Sequence, residues 1–184
     1  MAKPRSIRSN RATEFSNDLL RMLQGRKLKP SKTFGDLAWC KNHPLTNGQT
    51  IDVAAIDMRD SQPVLFIEAE LLREDPSSNV IKIWKWANAR GEKKPLLFIQ
   101  SFTKPYRTKQ KRERYERAIF VAKQMSAVMS NVEYRSVRLN YNPRHGGKVG
   151  AGRRRHHAQN LGHNVIRYWN AFQKKHSKMG TSSK

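Results

Sequence analysis

Apolar residues recur every three or four positions near the start of the chain and predict a first helix over residues 12–24. This spacing places them on one side of a helix, while charged residues occupy the other sides. The apolar residues on that side are Ala12, Phe15, Leu19, Met22 and Leu23. The pattern indicates a helix that packs one face against a core.

Two apolar runs follow, at residues 50–57 and 64–72, and predict two strands. Between them, residues 59–63 (Arg-Asp-Ser-Gln-Pro) have the composition of a turn, so the strands should form an antiparallel hairpin. The second run is apolar on both faces, which is typical of a central strand.

The rest of the chain alternates between helix and strand patterns. Asp75 before Pro76 predicts a helix start, and Gly91 predicts its end. Further elements are expected in the order strand 96–102, helix 108–130, strand 132–141, loop 142–157 and a last amphipathic helix. This order predicts an α/β or α+β fold with a mixed central sheet of about four strands flanked by helices.

The length of 184 residues suits one domain. We expect a flexible basic N-terminus at 1–10, the domain at 11–173 and a flexible basic tail at 174–184. Residues 142–157, rich in Gly and Arg, are expected to form a flexible basic loop inside the domain.

The charge changes this picture, because 37 Lys and Arg against 14 Asp and Glu leave a net charge of +23. Such an excess opposes compaction and is typical of proteins that bind the phosphate backbone of nucleic acids. An anionic membrane is the rival partner, but no apolar run of about 18 residues is present, so no membrane association is expected.

The cellular setting is predicted from the N-terminus and the cysteine content. The basic N-terminus lacks the apolar run of a secretory signal. The single cysteine, Cys40, excludes a disulfide framework, and together with His43 it supplies only two of the ligands that zinc needs. We therefore expect a protein of a reducing compartment, the cytoplasm (of the host cell if the protein is viral).

The acidic residues are concentrated in one stretch, because seven of the 14 fall between residues 52 and 75. Glu68 and Glu70 lie inside an otherwise apolar strand. An unpaired carboxylate in such a strand costs several kcal/mol, so a cation should neutralise these groups.

Strand geometry predicts which acids converge. Glu68 and Glu70 share a face because they are two positions apart. A hairpin centred on Ser61 would pair Asp52 with Glu70 and Ala54 with Glu68, and would put the three carboxylates on one face. A register change of one residue would exchange Asp52 for Asp57. Three carboxylates suit Mg²⁺, with Mn²⁺ as an alternative.

These residues resemble the PD-(D/E)XK nuclease superfamily, which includes restriction enzymes and Holliday junction resolvases. Ile51-Asp52 and the run Phe66-Ile67-Glu68-Ala69-Glu70 carry the likeness, on a strand, turn and strand, and it extends over residues 10–140. The resemblance implies a restriction-endonuclease-like fold and a Mg²⁺-dependent endonuclease that hydrolyses DNA phosphodiester bonds. It also implies a homodimer, because such enzymes cut two strands.

The resemblance assigns roles residue by residue. Asp52 and Glu68 would hold the metal together with a main-chain carbonyl near Ala69, and Glu14 matches an acid that some members add. Glu70 departs from the family, because it stands where a lysine is usual; it would bind a second ion or act as a base. Lys82, on the next helix, would replace the missing ammonium.

Basic residues on three segments are expected to hold nucleic acid through its phosphates. The loop 142–157 lacks the spacing of a Walker loop, so wrapping a backbone is the favoured use. The predicted nucleic-acid-binding residues are Lys85, Lys109, Lys111, Arg112, Arg144, Lys148, Arg153, Arg154 and Arg155.

Several alternatives stay open at this point. The carboxylates would form ordinary ion pairs in a non-catalytic nucleic-acid-binding protein with a nuclease-like fold. A structural RNA-binding protein is a second alternative, and RNA is therefore not excluded as a partner. An HNH-type nuclease is disfavoured, because its candidate residues lack a preceding hairpin and the wider spacing; they are His156, His157, Asn160 and His163.

Overall fold

The computed structural model describes residues 7–25, 35–45, 48–91, 94–144 and 147–177. Its elements are α1 (Ile7–Leu23), β1 (Leu37–Pro44), β2 (Thr50–Asp57), β3 (Gln62–Glu70), α2 (Ser77–Arg90), β4 (Leu96–Phe102), a 3₁₀ turn (Lys104–Arg107), α3 (Lys109–Val128), β5 (Val132–Arg138) and α4 (Gly147–Ser177).

The strands form one mixed sheet in the order β1-β2-β3-β4-β5. The pairs β1–β2 and β2–β3 are antiparallel, whereas the pairs β3–β4 and β4–β5 are parallel. The predicted α+β class with a mixed sheet between helices is confirmed, with five strands in place of about four.

Helices cover both faces of the sheet. One core joins α1 and α4 to residues such as Val53, Ile67 and Ile99, and the other joins α2 and α3 to Phe66 and Phe98. The helices α1 and α4 approach closely at Gly162, where a Cβ atom would lie 2.0 Å from the Met22 sulfur. Only glycine allows this approach without a shift of the methionine.

The added strand, β1, is an edge strand that the apolar pattern did not reveal. Its sequence, Leu-Ala-Trp-Cys-Lys-Asn-His-Pro, has no β-branched residue and no strict alternation, and most of its side chains are only half-buried. Asn42 has a φ of 53°, so the strand is irregular at its middle. Pairing with β2, which the local sequence does not encode, makes it a strand.

The predicted loop 142–157 is corrected from Gly147 onwards, where α4 begins and continues without a break. Glycines at 147, 150 and 152 suggested a loop, but the helix is held by its packing against α1. Part of each predicted flexible end, residues 7–10 and 174–177, is also helical, and the rest of both ends lies outside the described residues.

The hairpin register differs from the expected one by one residue pair. Ala54 lies opposite Phe66, not Glu68, because a four-residue turn is followed by a bulge between Ala55 and Ile56. On the Asp52 side of the bulge the shift is an even number of positions, so the side chains there keep their expected faces. Asp52 therefore stays on the face of Glu68.

Asp57 belongs to a separate ion cluster at the turn end of the hairpin. Its side chain is buried, and it accepts hydrogen bonds from Arg59 (2.7 Å to Oδ2) and from the Lys94 ammonium. The hydrogen bonds of Arg59, followed by those of Lys94, hold the pKa of Asp57 well below its usual range.

This cluster should stabilise the fold in a pH-dependent way. The pKa of Asp57 is lower in the folded than in the unfolded chain, so its contribution is present at neutral pH and is lost as the pH falls below about 4. We expect Asp57→Asn to lower the stability by about 2 kcal/mol at pH 7 and by progressively less at acid pH. Urea unfolding at a series of pH values measures this, and a pH-independent difference would contradict it.

Candidate active site

The candidate site lies where β2 and β3 stop pairing. Their backbone register ends at Val53 and Ile67, and beyond it β3 continues beside β4 alone. The Asp52 side chain bridges the opening, because its Oδ2 accepts the Ala69 N–H at 2.8 Å. A cleft of about 310 Å³ opens here, and we call it the carboxylate cleft; its lining includes Arg11, Asp52, Glu68, Ala69, Arg73 and Asn79.

Lys82 joins α2 to both carboxylate-bearing strands. Its Nζ lies 2.6 Å from Glu68 Oε1 and donates to the Thr50 carbonyl, also at 2.6 Å. The side chains are almost withdrawn from water, with 9% of Lys82 and 1% of Glu68 exposed. The structure thus brings together three of the four predicted catalytic residues, Asp52, Glu68 and Lys82.

Both carboxylates have a raised pKa, and the charge of Asp52 contributes to the shift of Glu68. Burial raises the pKa of Asp52, against the opposing effects of the Ala69 N–H and Lys82. Burial, and then the charge of Asp52, raise the pKa of Glu68 well above its usual range, although Lys82 lowers it. The positive charges of Lys82 and of Arg73 in the lining offset part of the charge of Asp52 and lower its pKa.

Glu70 makes its hydrogen bonds to α2 and β4. Its Oε1 accepts from Asn79 Nδ2 at 2.6 Å and from Gln100 Nε2 at 2.7 Å, and Arg73 lies 3.6 Å from Oε2. Gln100 also donates to the Pro76 carbonyl. Burial raises the pKa of Glu70 to about 7, while the bonds from Gln100 and Asn79 lower it. Glu70 thereby fastens the start of α2 to the sheet.

Glu14 is paired with a basic residue of α4. Its carboxylate lies 2.5 Å from Arg154, which also donates to Asp18 at 2.7 Å. Arg154, predicted to bind nucleic acid, thus points towards α1. The residue of α1 that lines the carboxylate cleft and carries a charge is Arg11.

The other predicted nucleic-acid-binding residues lie on several surfaces. Exposed side chains are those of Lys85 on α2, Lys109 and Arg112 on α3, and Arg144, Arg153 and Arg155. Arg112 forms an ion pair with Glu116, and Lys111 is partly buried beside Glu74. Lys148 is the second residue of α4, but its side chain lies outside the described part of the structure.

Sequence reasoning missed the cleft roles of Arg11, Arg73 and Asn79. Asn79 donates through Nδ2 to Glu70, while its buried Oδ1 has no hydrogen-bond partner among the residues that the structure describes. The only available signal was a polar residue at the third position of a helix that begins beside the acidic strand. Arg11 gives no local signal at all, because tertiary packing brings it there.

The described part of the chain was expected to contain a group of three carboxylates, and it also contains the Cys40 and His43 pair and the histidines of α4. Over the described residues, no group of three or more His, Cys, Asp or Glu side chains is arranged to hold a metal ion. The Cys40 Sγ and His43 Nδ1 atoms are 3.6 Å apart and provide two of the ligands that a zinc site needs. His156 and Asn160 lie one turn apart on the continuous helix α4, without the hairpin of an HNH site.

Comparisons with known proteins add nothing to this geometry: no family model, no curated protein and no solved structure matches the chain. None of the helices within the described ranges is long and apolar enough to cross a membrane.

Proposed function

We propose that the protein is a metal-dependent DNA endonuclease of the PD-(D/E)XK type. One observation carries the proposal: Asp52 and Glu68 line a cleft at the end of two separating strands, with the Lys82 ammonium 2.6 Å from Glu68. A pair of acids can hold a metal ion that activates water, and a buried lysine can stabilise the negative charge that develops during phosphodiester hydrolysis. The net charge of +23 supplies affinity for a polyanionic substrate.

A divalent cation fits the carboxylate cleft. Asp52 and Glu68 both have a raised pKa, and their repulsion is relieved when a cation lies between them. Mg²⁺ needs only one or two carboxylates because it keeps several waters, so the lack of a three-ligand group is compatible with it. Mn²⁺ is an equivalent choice.

The residues of the chain divide the work. A bound ion would lower the pKa of a water and stabilise the displacement at phosphorus. Asp52 is held in place by the Ala69 N–H. Lys82 supplies a fixed positive charge that stabilises the charge developing on the phosphate, and it orients Glu68.

Glu70 takes a positioning role in this proposal. It was expected to bind the ion or act as a base in the place of the family lysine. Its bonds to Asn79 and Gln100 instead hold the first turn of α2, and Lys82 is one turn further along the same helix. The ammonium absent at position 70 is therefore provided from α2.

The proposed partner is DNA, gripped through its phosphates by the exposed basic side chains of α2, α3 and α4. We propose a homodimer because cutting both strands requires two such sites. Non-catalytic binding of DNA, or binding of RNA, are the alternatives that the experiment below separates.

Cleavage assays with and without metal test the proposal. We expect nicking of supercoiled plasmid or of a four-way junction with Mg²⁺ or Mn²⁺, and none with EDTA. The preferred substrate then distinguishes junction resolution from general endonuclease activity. Tight binding without cutting under any metal would overturn the enzyme and leave a binding protein, and exclusive binding of RNA would favour the structural alternative.

A further inference from the structure

A second cleft, with a volume of about 420 Å³, adjoins the carboxylate cleft. The two share Arg11, Leu72 and Glu74 in their linings, so they form one continuous depression. We call the second one the basic cleft; its cationic lining residues are Arg11, Lys111, Arg114 and Arg144.

The basic cleft concentrates positive charge from three parts of the fold. Arg11 belongs to α1, Lys111 and Arg114 to the first turns of α3, and Arg144 to the turn before α4. Arg11 is held there by donating to the Pro143 carbonyl at 2.6 Å. The N-terminus of α3 adds the positive end of its helix dipole. This arrangement is suited to a compact, multiply charged anion.

Glu74 is the acidic residue in the lining of the basic cleft. Its carboxylate forms ion pairs with Arg114 and with Lys111, the latter at 3.7 Å. Nevertheless 67% of the Glu74 side chain is exposed, so it can swing into water at little cost. The Lys111 side chain is 13% exposed and stays in the lining, beside the Tyr106 ring.

We propose that the basic cleft binds a phosphate group of the nucleic-acid strand whose neighbouring phosphodiester is cut in the carboxylate cleft. Glu74 occupies the two cations of α3 in the free protein, and the phosphate displaces it. The identity of the strand rests on the proposed function, whereas the phosphate site itself rests on the charges of the basic cleft. Glu74 then competes with incoming ligands for Lys111 and Arg114, and this competition weakens the binding of any ligand with less charge than a phosphate.

Binding of a short fluorescent DNA duplex in EDTA tests this without requiring cleavage. We expect Glu74→Gln to tighten binding about fivefold, because Lys111 and Arg114 lose their competing partner. Asp60→Asn is the matched control. It removes the same charge from an ion pair with Lys94, which is neither in the lining of the basic cleft nor among the predicted nucleic-acid-binding residues, and should change affinity by less than about twofold.

A second background separates a local effect from general electrostatics. In Lys111→Gln/Arg114→Gln, the gain from Glu74→Gln should disappear. Duplexes with and without a 5′-phosphate show whether a terminal or an internal phosphate is bound. Equal gains from Glu74→Gln and Asp60→Asn, or a gain that survives the double substitution, would overturn the phosphate site. If Glu74→Gln tightens binding as expected but no DNA is cut, the nuclease proposal alone is overturned. If DNA is cut but Glu74→Gln does not change the affinity, the phosphate site alone is overturned.

Discussion

Asp52→Asn should reduce metal-dependent cleavage by about 10³-fold while leaving the fold at least as stable as before. The amide oxygen can still accept the Ala69 N–H, so the local geometry survives. The loss of one carboxylate removes a charged ligand from the metal, and about 4 kcal/mol of transition-state stabilisation corresponds to that factor. The repulsion between residues 52 and 68 disappears, which should raise the melting temperature of the metal-free protein.

Asp57→Asn makes the same chemical change as Asp52→Asn, but it should lower stability and leave cleavage unchanged. Asp57 is buried in the same hairpin, but its partners are Arg59 and Lys94 at the turn end. This variant should be less stable and should cleave normally at a temperature where it is folded. Plasmid nicking and thermal melting of the two variants side by side measure both effects. If Asp52→Asn melts earlier and Asp57→Asn loses cleavage, the site is wrongly placed.

Lys82→Met should impair both stability and cleavage. Glu68 would be left as a buried carboxylate without its cation, which costs about 3 kcal/mol when one member of a buried pair is removed. Cleavage should fall by about 100-fold, because the fixed positive charge beside the reacting phosphate is lost. Urea unfolding and initial cleavage rates measure the two effects.

The double variant Glu68→Gln/Lys82→Met separates the two roles of Lys82. It removes both charges, so most of the lost stability should return while the loss of cleavage remains. Lys85→Met is the stability control, because Lys85 is an exposed lysine on the same helix. A stability loss as large in Lys85→Met, or no recovery in the double variant, would contradict the buried ion pair.

The shared face of Asp52 and Glu68 was predictable from the sequence, whereas their partners were not. Alternation along a strand has a period of two, and the turn and the bulge at Ala55 together displaced the register by one whole pair, so the two acids stay on one face. Lys82 was placed by resemblance, and α2 brings it to Glu68. By contrast, the contact between Glu14 and Arg154 joins α1 to α4, and no local pattern encodes it.

Composition misled where tertiary packing decides the structure. The stretch 147–157 contains three glycines and a run of arginines, yet it forms the first turns of α4 because α1 packs beside it. The strand β1 has weak strand propensity and is made by its pairing with β2. In both cases the stabilising contacts come from distant residues, which a reading of neighbouring positions does not contain.

The order of the strands in space repeats their order along the chain, and this has a consequence for how the molecule folds. Each strand can add to the one made just before it, so the longest connections that the sheet must close are the two crossovers that contain α2 and α3. The exception is the packing of α4 on α1, which brings the two ends of the described chain together. The final docking of α4 would therefore be the slow, entropically costly step. Until it occurs, apolar residues on the face of the sheet that α1 and α4 cover stay exposed to water.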